Sequence, residues 1–115
     1  MRRIILAFAV TALTAAPFAA QAATGKEIFT EQKCNKCHKI TSEGIAPLEE
    51  KPTIIDLSGV GKDHDVAWFK GWLNKEIERD SIVKKGEKAK HKIQFKGTPA
   101  ELDTLAAWLK TLTKK

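Results

Sequence analysis

The chain has 115 residues, with 20 Lys and Arg against 14 Asp and Glu and a formal net charge of +6. This length suits one small domain, and it excludes a large enzyme with its own cofactor domain and a multi-span membrane protein. Two cysteines are too few for a disulfide-dense scaffold. The basic residues are mixed with many acids, which argues against a nucleic-acid binder but suits a partner with an acidic face.

The first 22 residues have the composition of a secretory signal peptide. Arg2 and Arg3 precede an apolar run over residues 4 to 16, and Ala20-Gln21-Ala22 has the small-x-small pattern of a cleavage site. The run is shorter than the ~20 residues that a membrane span needs, which disfavours an uncleaved anchor. We therefore predict a signal peptide over residues 1–22 and an exported, periplasmic, soluble domain over residues 23–115, without a membrane span after cleavage.

The first two predicted helices follow polar capping residues. Thr24 and Glu27 have the spacing of a capping box at the start of the first helix. The second helix is predicted to begin at Asp63 or Asp65. Its core-facing stripe, broadened by two tryptophans, comprises Val66, Phe69, Leu73 and Ile77, with Trp68 and Trp72 beside them.

The third predicted helix has the clearest start signal. Thr98, Pro99 and Glu101 supply a cap, a proline at the first helical position and the acid of a capping box. Residues 41–62 and 84–97 are predicted to be loops, and no stretch shows a sustained strand alternation. Long loops in a small domain that is poor in core residues favour a fold wrapped around a ligand.

The sequence Cys34-Asn35-Lys36-Cys37-His38 is the main chemical motif. Two cysteines three residues apart can each bond one vinyl group of a haem, and the following histidine can ligate the iron, so the motif predicts c-type haem attachment. A Cys34–Cys37 disulfide would close a tiny loop and stabilise little, and a thioredoxin-like pair would need surrounding strands. A zinc site of Cys34, Cys37, His38 and His91 departs from the common zinc spacings.

These residues resemble the small monohaem class I c-type cytochromes over essentially all of residues 23–115. The resemblance implies an all-α, class I cytochrome c-like fold, with three or more helices and long loops around one covalently bound haem c. It also implies that the first and last helices cross beside the haem, and that the Pro47 carbonyl accepts a hydrogen bond from the iron ligand His38. The matching segments are Gly25 and Phe29, residues 44–48, residues 95–98, and Leu105 with Trp108.

The second axial ligand departs from the family pattern. The family uses a methionine before the last helix, but the only methionine of this chain is Met1, which belongs to the predicted signal peptide. We predict His91 as the second ligand, because it lies in the corresponding loop and imidazole binds iron well. An open position, a lysine and His64 remain alternatives, although His64, between two aspartates, is expected to be a solvated surface residue.

The predicted function is that of a monohaem electron carrier and not of an enzyme, with a potential lowered by two histidine ligands. The alternatives are a protein that binds a gas or an anion at a displaceable sixth position, and the cytochrome subunit of an oxidoreductase. Lysines around the haem edge would steer redox partners with acidic docking faces. The alternative interpretation is that these lysines serve only to keep the chain soluble. They are Lys33, Lys36, Lys39, Lys84, Lys85, Lys88, Lys90, Lys92 and Lys96.

Overall fold

The structure, a computed structural model, describes residues 23–81 and 84–114. The predicted signal peptide lies outside these residues. Three α-helices form the fold: α1 (Gly25–Glu31), α2 (Val66–Leu73) and α3 (Pro99–Lys110). Four strands of two residues make two small sheets, in which β1 (His38–Lys39) runs parallel to β2 (Ile55–Asp56) and β3 (Arg79–Asp80) runs antiparallel to β4 (Lys88–Ala89).

The predicted caps start all three helices. The Thr98 hydroxyl accepts from the Glu101 N–H at 3.2 Å and the Glu101 carboxylate accepts from the Thr98 N–H at 3.0 Å, which completes the capping box of α3. At α1, the Thr24 hydroxyl accepts from the Glu27 N–H at 3.2 Å. The Glu27 carboxylate accepts from the Thr24 hydroxyl, whereas in a capping box it accepts from the N-cap backbone N–H. Asp65 begins α2 by accepting from the Trp68 N–H at 2.8 Å.

Helix α2 ends earlier than the apolar stripe predicted. Lys75 adopts a left-handed conformation with φ of 60°, and its N–H donates to the Trp72 carbonyl at 3.1 Å. The next N–H, that of Glu76, donates to the Gly71 carbonyl at 2.8 Å. This pair of bonds is a Schellman motif, which terminates the helix. Ile77 therefore lies beyond the helix, where its side chain faces Gly71.

The crossing of α1 and α3 organises the hydrophobic core. A Cβ added at Gly25 would lie 2.1 Å from the Trp108 Cβ, and the rings of Phe29 and Trp108 are 5.7 Å apart. These contacts confirm the predicted meeting of Gly25 and Phe29 with the Trp108 side of α3. The buried apolar residues are Ile28, Phe29, Ile40, Ile45, Phe69, Leu73, Leu102, Leu105, Ala106, Leu109 and Leu112.

Hydrogen bonds and short paired strands hold the segments between the helices in place. Asp56 on β2 accepts from the backbone and hydroxyl of both Thr41 and Ser58, with the two hydroxyl bonds at 2.6 Å. The β3–β4 hairpin pairs Arg79 with Ala89, two residues before His91. One sheet therefore fixes the backbone at His38, and the other fixes the backbone two residues before His91.

Candidate functional site

A cavity of about 750 Å³ lies between the C-x-x-C-H motif, α2 and residues 89–95. This volume is within the range of ordinary cofactor sites. The wall includes Cys34, Cys37, His38 and His91, so the fold brings together the four residues that the sequence predicted as thioether donors and iron ligands. Phe29, Phe69 and Leu105 close the apolar floor of the cavity, together with other core residues.

A single tight turn presents the motif to the cavity. Residues Cys34–Lys36 form a 3₁₀ turn in which the Cys37 N–H donates to the Cys34 carbonyl at 3.2 Å. The two cysteines are not joined in a disulfide. Burial raises the pKa of Cys34 to about 11, with its backbone hydrogen bond opposing the shift and the nearby Cys37 adding to it. Without a bound group the Cys34 thiol would therefore be neutral at pH 7, which disfavours disulfide exchange.

His38 follows the turn on β1, where pairing with Ile55 fixes its backbone. Burial lowers the pKa of His38 to about 4; His91 adds to this shift, and the Ile55 backbone opposes it. The His38 imidazole is therefore neutral at pH 7, with a lone pair available for a metal ion. Its Nδ1 atom is buried and has no hydrogen-bond partner among the residues that the structure describes.

Within residues 23–81 and 84–114, His38 Nδ1 has no hydrogen-bond partner, so the bond to the Pro47 carbonyl that the resemblance implies stays a prediction. The loop that carries Pro47 is nevertheless fixed against the motif. The N–H of Leu48, the next residue, donates to the Asn35 carbonyl at 2.9 Å. A buried, unpaired nitrogen on a ring at the cavity wall is costly, and metal-ligating histidines usually satisfy that atom with a carbonyl or carboxylate.

His91 faces His38 across the cavity. The two ring centroids are 6.3 Å apart and the ring planes differ by 11°. The Ile93 carbonyl can only accept, so its hydrogen bond with His91 Nδ1 places the proton on that nitrogen and leaves the lone pair on Nε2. Burial lowers the pKa of His91, the Ile93 carbonyl opposes the shift, and the charge of Lys75 adds to it.

The spacing of the two imidazoles suits one metal ion between them. Rings that each place a nitrogen about 2 Å from a shared ion have centres roughly 6 Å apart, close to the 6.3 Å observed. Within residues 23–81 and 84–114, no three His, Cys, Asp or Glu side chains cluster closely enough to hold a metal ion themselves. A porphyrin bound in the cavity would itself supply four nitrogen ligands to its iron, and His38 and His91 are placed where imidazole ligands could be added.

A row of aromatic rings forms one wall of the cavity. His64 stacks on Trp68 at 3.4 Å, Trp68 stacks on Trp72 at 5.4 Å, and Trp72 contacts His91 at 5.6 Å. The guanidinium of Arg79 lies 5.9 Å from the centre of the Trp72 ring. His64 is thus partly buried and not the solvated residue that we expected. Its pKa is lowered by burial and by Arg79, against the opposing charges of its two neighbouring aspartates.

The sequence contained a signal for this wall that the core-stripe interpretation missed. Positions 64, 68 and 72 are spaced by four and share one side of α2 and its N-terminal approach, whereas Phe69 and Leu73 occupy another and are buried. An amphipathic helix with apolar residues on two sides contacts two different environments. Here one is the protein core and the other is the cavity.

Comparison with known families identifies the fold. The family described as Cytochrome c matches residues 22–113. The chain belongs to the cytochrome c family. Neither a curated protein nor a solved structure matches the chain.

Membership in the cytochrome c family confirms the predicted class I, all-α fold and the predicted cofactor, one covalently bound haem c. It also establishes the general function, electron transfer by a haem protein that exchanges electrons with redox partner proteins. None of the helices in the described part of this cytochrome combines the length and the apolar character needed to cross a membrane.

Proposed function

We propose that this cytochrome is an exported, periplasmic electron carrier whose single haem iron has two histidine ligands, His38 and His91. In this proposal Cys34 and Cys37 each add a thiol S–H across one haem vinyl group, which gives two thioether bonds. The haem supplies one-electron exchange between Fe(III) and Fe(II). The chain holds the porphyrin, keeps both imidazoles neutral and excludes water from the apolar cavity.

One observation carries the two-histidine ligation. The ring centroids of His38 and His91 lie 6.3 Å apart at the cavity wall, and the two ring planes differ by only 11°. The Ile93 carbonyl orients His91 with its free Nε2 available, which is the usual arrangement behind a ligating histidine. His64 lines the same cavity, but its ring stacks on Trp68. His91 is therefore better prepared for ligation than His64.

Ligand identity determines the reduction potential. A thioether sulfur opposite the proximal histidine raises the potential of c-type cytochromes. A second imidazole donates more strongly to Fe(III), so we expect a potential below that of histidine–methionine relatives. Such a carrier would exchange electrons with low-potential partners.

Substitution of His91 tests the proposed ligation. The full chain is produced in a host that matures c-type cytochromes, and absorption, electron paramagnetic resonance and redox titration are recorded. We expect the parent to be low-spin in both oxidation states, His91→Ala to become high-spin, and His91→Met to have a raised potential. His64→Ala is the matched control and should keep the parent spectrum. A His91→Ala variant that retains the parent spectrum would refute His91 as the ligand.

Binding of a gas or an anion at a displaceable sixth position is the second candidate function, and exogenous ligands distinguish it from electron transfer. If His91 occupies the sixth position, carbon monoxide added to the reduced parent should leave its spectrum unchanged over the mixing time, whereas the His91→Ala variant should bind carbon monoxide at once. Rapid and complete binding by the parent would instead favour the ligand-binding function.

Lysines around the cavity support docking of partners with acidic faces. Lys33, Lys90 and Lys92 line the cavity and are exposed, so their charges surround the route to the haem. Long-range attraction of this kind raises association rates and weakens with salt. We expect Lys90→Gln with Lys92→Gln to slow electron exchange with an acidic partner at low ionic strength. The equally charged control, Lys26→Gln with Lys114→Gln, should leave the rate near that of the parent.

Export and partnership can be tested on the native protein. We expect the purified periplasmic form to begin at Ala23, as determined by N-terminal sequencing. Retention of residues 1–22 on a membrane-bound form would contradict cleavage and support an anchor. Co-purification with a larger oxidoreductase in a fixed ratio would assign the cytochrome to that enzyme as a subunit, in place of a free carrier.

A further inference from the structure

The contacts of Trp72 assign it a role that neither the family nor the motif specifies. We infer that Trp72 is a positioning residue that keeps the His91 ring parallel to the His38 ring. This inference rests on the proposed two-histidine ligation and concerns the orientation of the ligand, not its identity. Trp72 lies on α2 and does not ligate the iron, but it determines the orientation of the imidazole that does.

Trp72 is held from several directions. Its ring stacks on Trp68 at 5.4 Å with an interplanar angle of 14°, and the Arg79 guanidinium lies 5.9 Å from its centre. Its backbone carbonyl accepts from the Lys75 N–H in the motif that ends α2. Asp65 caps the other end of this short helix. The indole therefore belongs to a fixed element and not to a loop.

His91, in contrast, lies on a segment without helix or strand structure of its own. In the described part of the chain its ring has one hydrogen bond, which joins Nδ1 to the carbonyl of Ile93, two residues further along the same segment. Both ends of the segment are tied beside α2, through the pairing of Ala89 with Arg79 and through the Phe95 N–H, which donates to the Leu73 carbonyl at 3.0 Å. These ties join backbone atoms, so they restrict the segment without contacting the His91 ring itself.

The Trp72 indole supplies a second restraint on the His91 ring, in addition to the Ile93 hydrogen bond. The Trp72 and His91 rings meet edge to face, with centroids 5.6 Å apart and planes inclined at 62°. Edge-to-face contacts are favourable and directional, so rotation of the His91 ring would break this contact or collide with it. The 11° angle between the His38 and His91 planes is the result of this arrangement.

The orientation of the two rings has a spectroscopic consequence. Each imidazole interacts with the iron d orbitals perpendicular to its own plane, so parallel rings split those orbitals and crossed rings make them nearly equal in energy. Parallel rings therefore give a ferric low-spin resonance with three well-separated g values, and crossed rings give one very large g value. Trp72 would thus affect the electronic structure of the iron without ligating it, by orienting the ligand His91.

The test compares two tryptophan substitutions on the same helix in the mature, haem-loaded protein. Trp72→Leu removes the ring that contacts His91, and Trp68→Leu removes its neighbour, which has no ring contact with His91 in the described part of the chain. We expect the largest g value to rise in Trp72→Leu and to rise less in Trp68→Leu, which removes a neighbour of Trp72 but leaves the indole that contacts His91. Trp72→Phe retains a ring and should restore the parent spectrum.

Carbon monoxide binding to the ferrous protein provides a second measurement. If His91 dissociation limits binding, loss of one aromatic contact should speed it by roughly two- to tenfold in Trp72→Leu. An unchanged g spectrum and an unchanged rate in Trp72→Leu would overturn the inference while leaving His91 as the ligand. Equal shifts in Trp72→Leu and Trp68→Leu would also overturn it. A parent that lacks a two-histidine spectrum would instead refute the proposed function.

The parent protein provides a measurement that does not depend on whether a variant folds. In the diamagnetic ferrous state, nuclear Overhauser effects between the Trp72 indole protons and the His91 ring protons should be observed. Their absence in a protein whose His91 ligation is otherwise established would refute the positioning role.

Discussion

Among substitutions that add one methyl group to this cytochrome, Gly25→Ala should be one of the most destabilising. Gly25 lies at the start of α1 with a φ outside the left-handed region, so its backbone tolerates alanine. The difficulty is the neighbouring helix. An added Cβ would lie 2.1 Å from the Trp108 Cβ, 2.6 Å from the Trp108 Cγ and 3.2 Å from the Thr104 carbonyl oxygen.

The magnitude follows from which atoms collide. The position of the Trp108 Cβ is set by the α3 backbone, so no side-chain rotation relieves the contact. Carbon atoms pack at about 3.5–4.0 Å, which means that α1 must move by roughly 1.5 Å. Overpacking costs typically about 1–3 kcal/mol, and a clash with fixed atoms belongs at the upper end, so we expect a loss of about 3 kcal/mol.

Guanidinium unfolding followed by far-ultraviolet circular dichroism and by haem absorption measures this loss, and thermal unfolding should show a drop of at least about 12 °C. Gly86→Ala is the control, since Gly86 has a φ of 86° and nothing near its Cβ position. Its cost is backbone strain alone, about 1 kcal/mol. A Gly25→Ala variant as stable as Gly86→Ala would show that the helices separate easily and that the reasoning from their crossing is incorrect.

Two other changes test local features of the fold. Lys75→Gly should raise the free energy of unfolding by about 1 kcal/mol in guanidinium titrations, because glycine adopts the left-handed C-terminal position of α2 without strain; Lys75→Ala removes the charge but keeps the strain and should give no such gain. Burial opposes the ionisation of Asp56, but hydrogen bonds from Ser58 and Thr41 outweigh it and lower the pKa of Asp56 to about 2. The stability that this carboxylate contributes is therefore present above about pH 4 and lost as the pH falls through about 2. The difference in unfolding free energy between the parent and Asp56→Asn should shrink over that interval. An undiminished difference at pH 2 would contradict the assignment.

The helix starts and the motif could be predicted because their signals are local. Thr98, Pro99 and Glu101 determine the start of α3 through bonds within one turn. The Cys34–His38 motif needs only its own spacing to indicate haem attachment. Gly25 required the family resemblance, because a close approach between residues 25 and 108 leaves no mark in either local sequence.

The spacing of His64, Trp68 and Trp72 indicates that they share one side of α2 and its N-terminal approach, but it does not indicate what that side contacts. Trp68 and Trp72 are hydrophobic, and without the cavity the simplest prediction adds them to the core stripe of α2. Their location depends on residues 89–95, which fold back beside the helix through the hairpin and the Phe95–Leu73 hydrogen bond. The early end of α2 also depends on a left-handed lysine, and lysine carries no local signal for that conformation.

Helix α2 links the stability of the fold to the geometry of the iron site. Phe69 and Leu73 are buried in the same core cluster as α3, while Trp72, on another side of the same two turns, contacts His91. A shift of α2 along α3 would therefore move the indole relative to the ligand that we propose it orients. Substitutions in the core beneath α2 that leave the protein folded should change the ferric g values before they change the ligand, because a rotation of the His91 ring needs a smaller displacement than its dissociation.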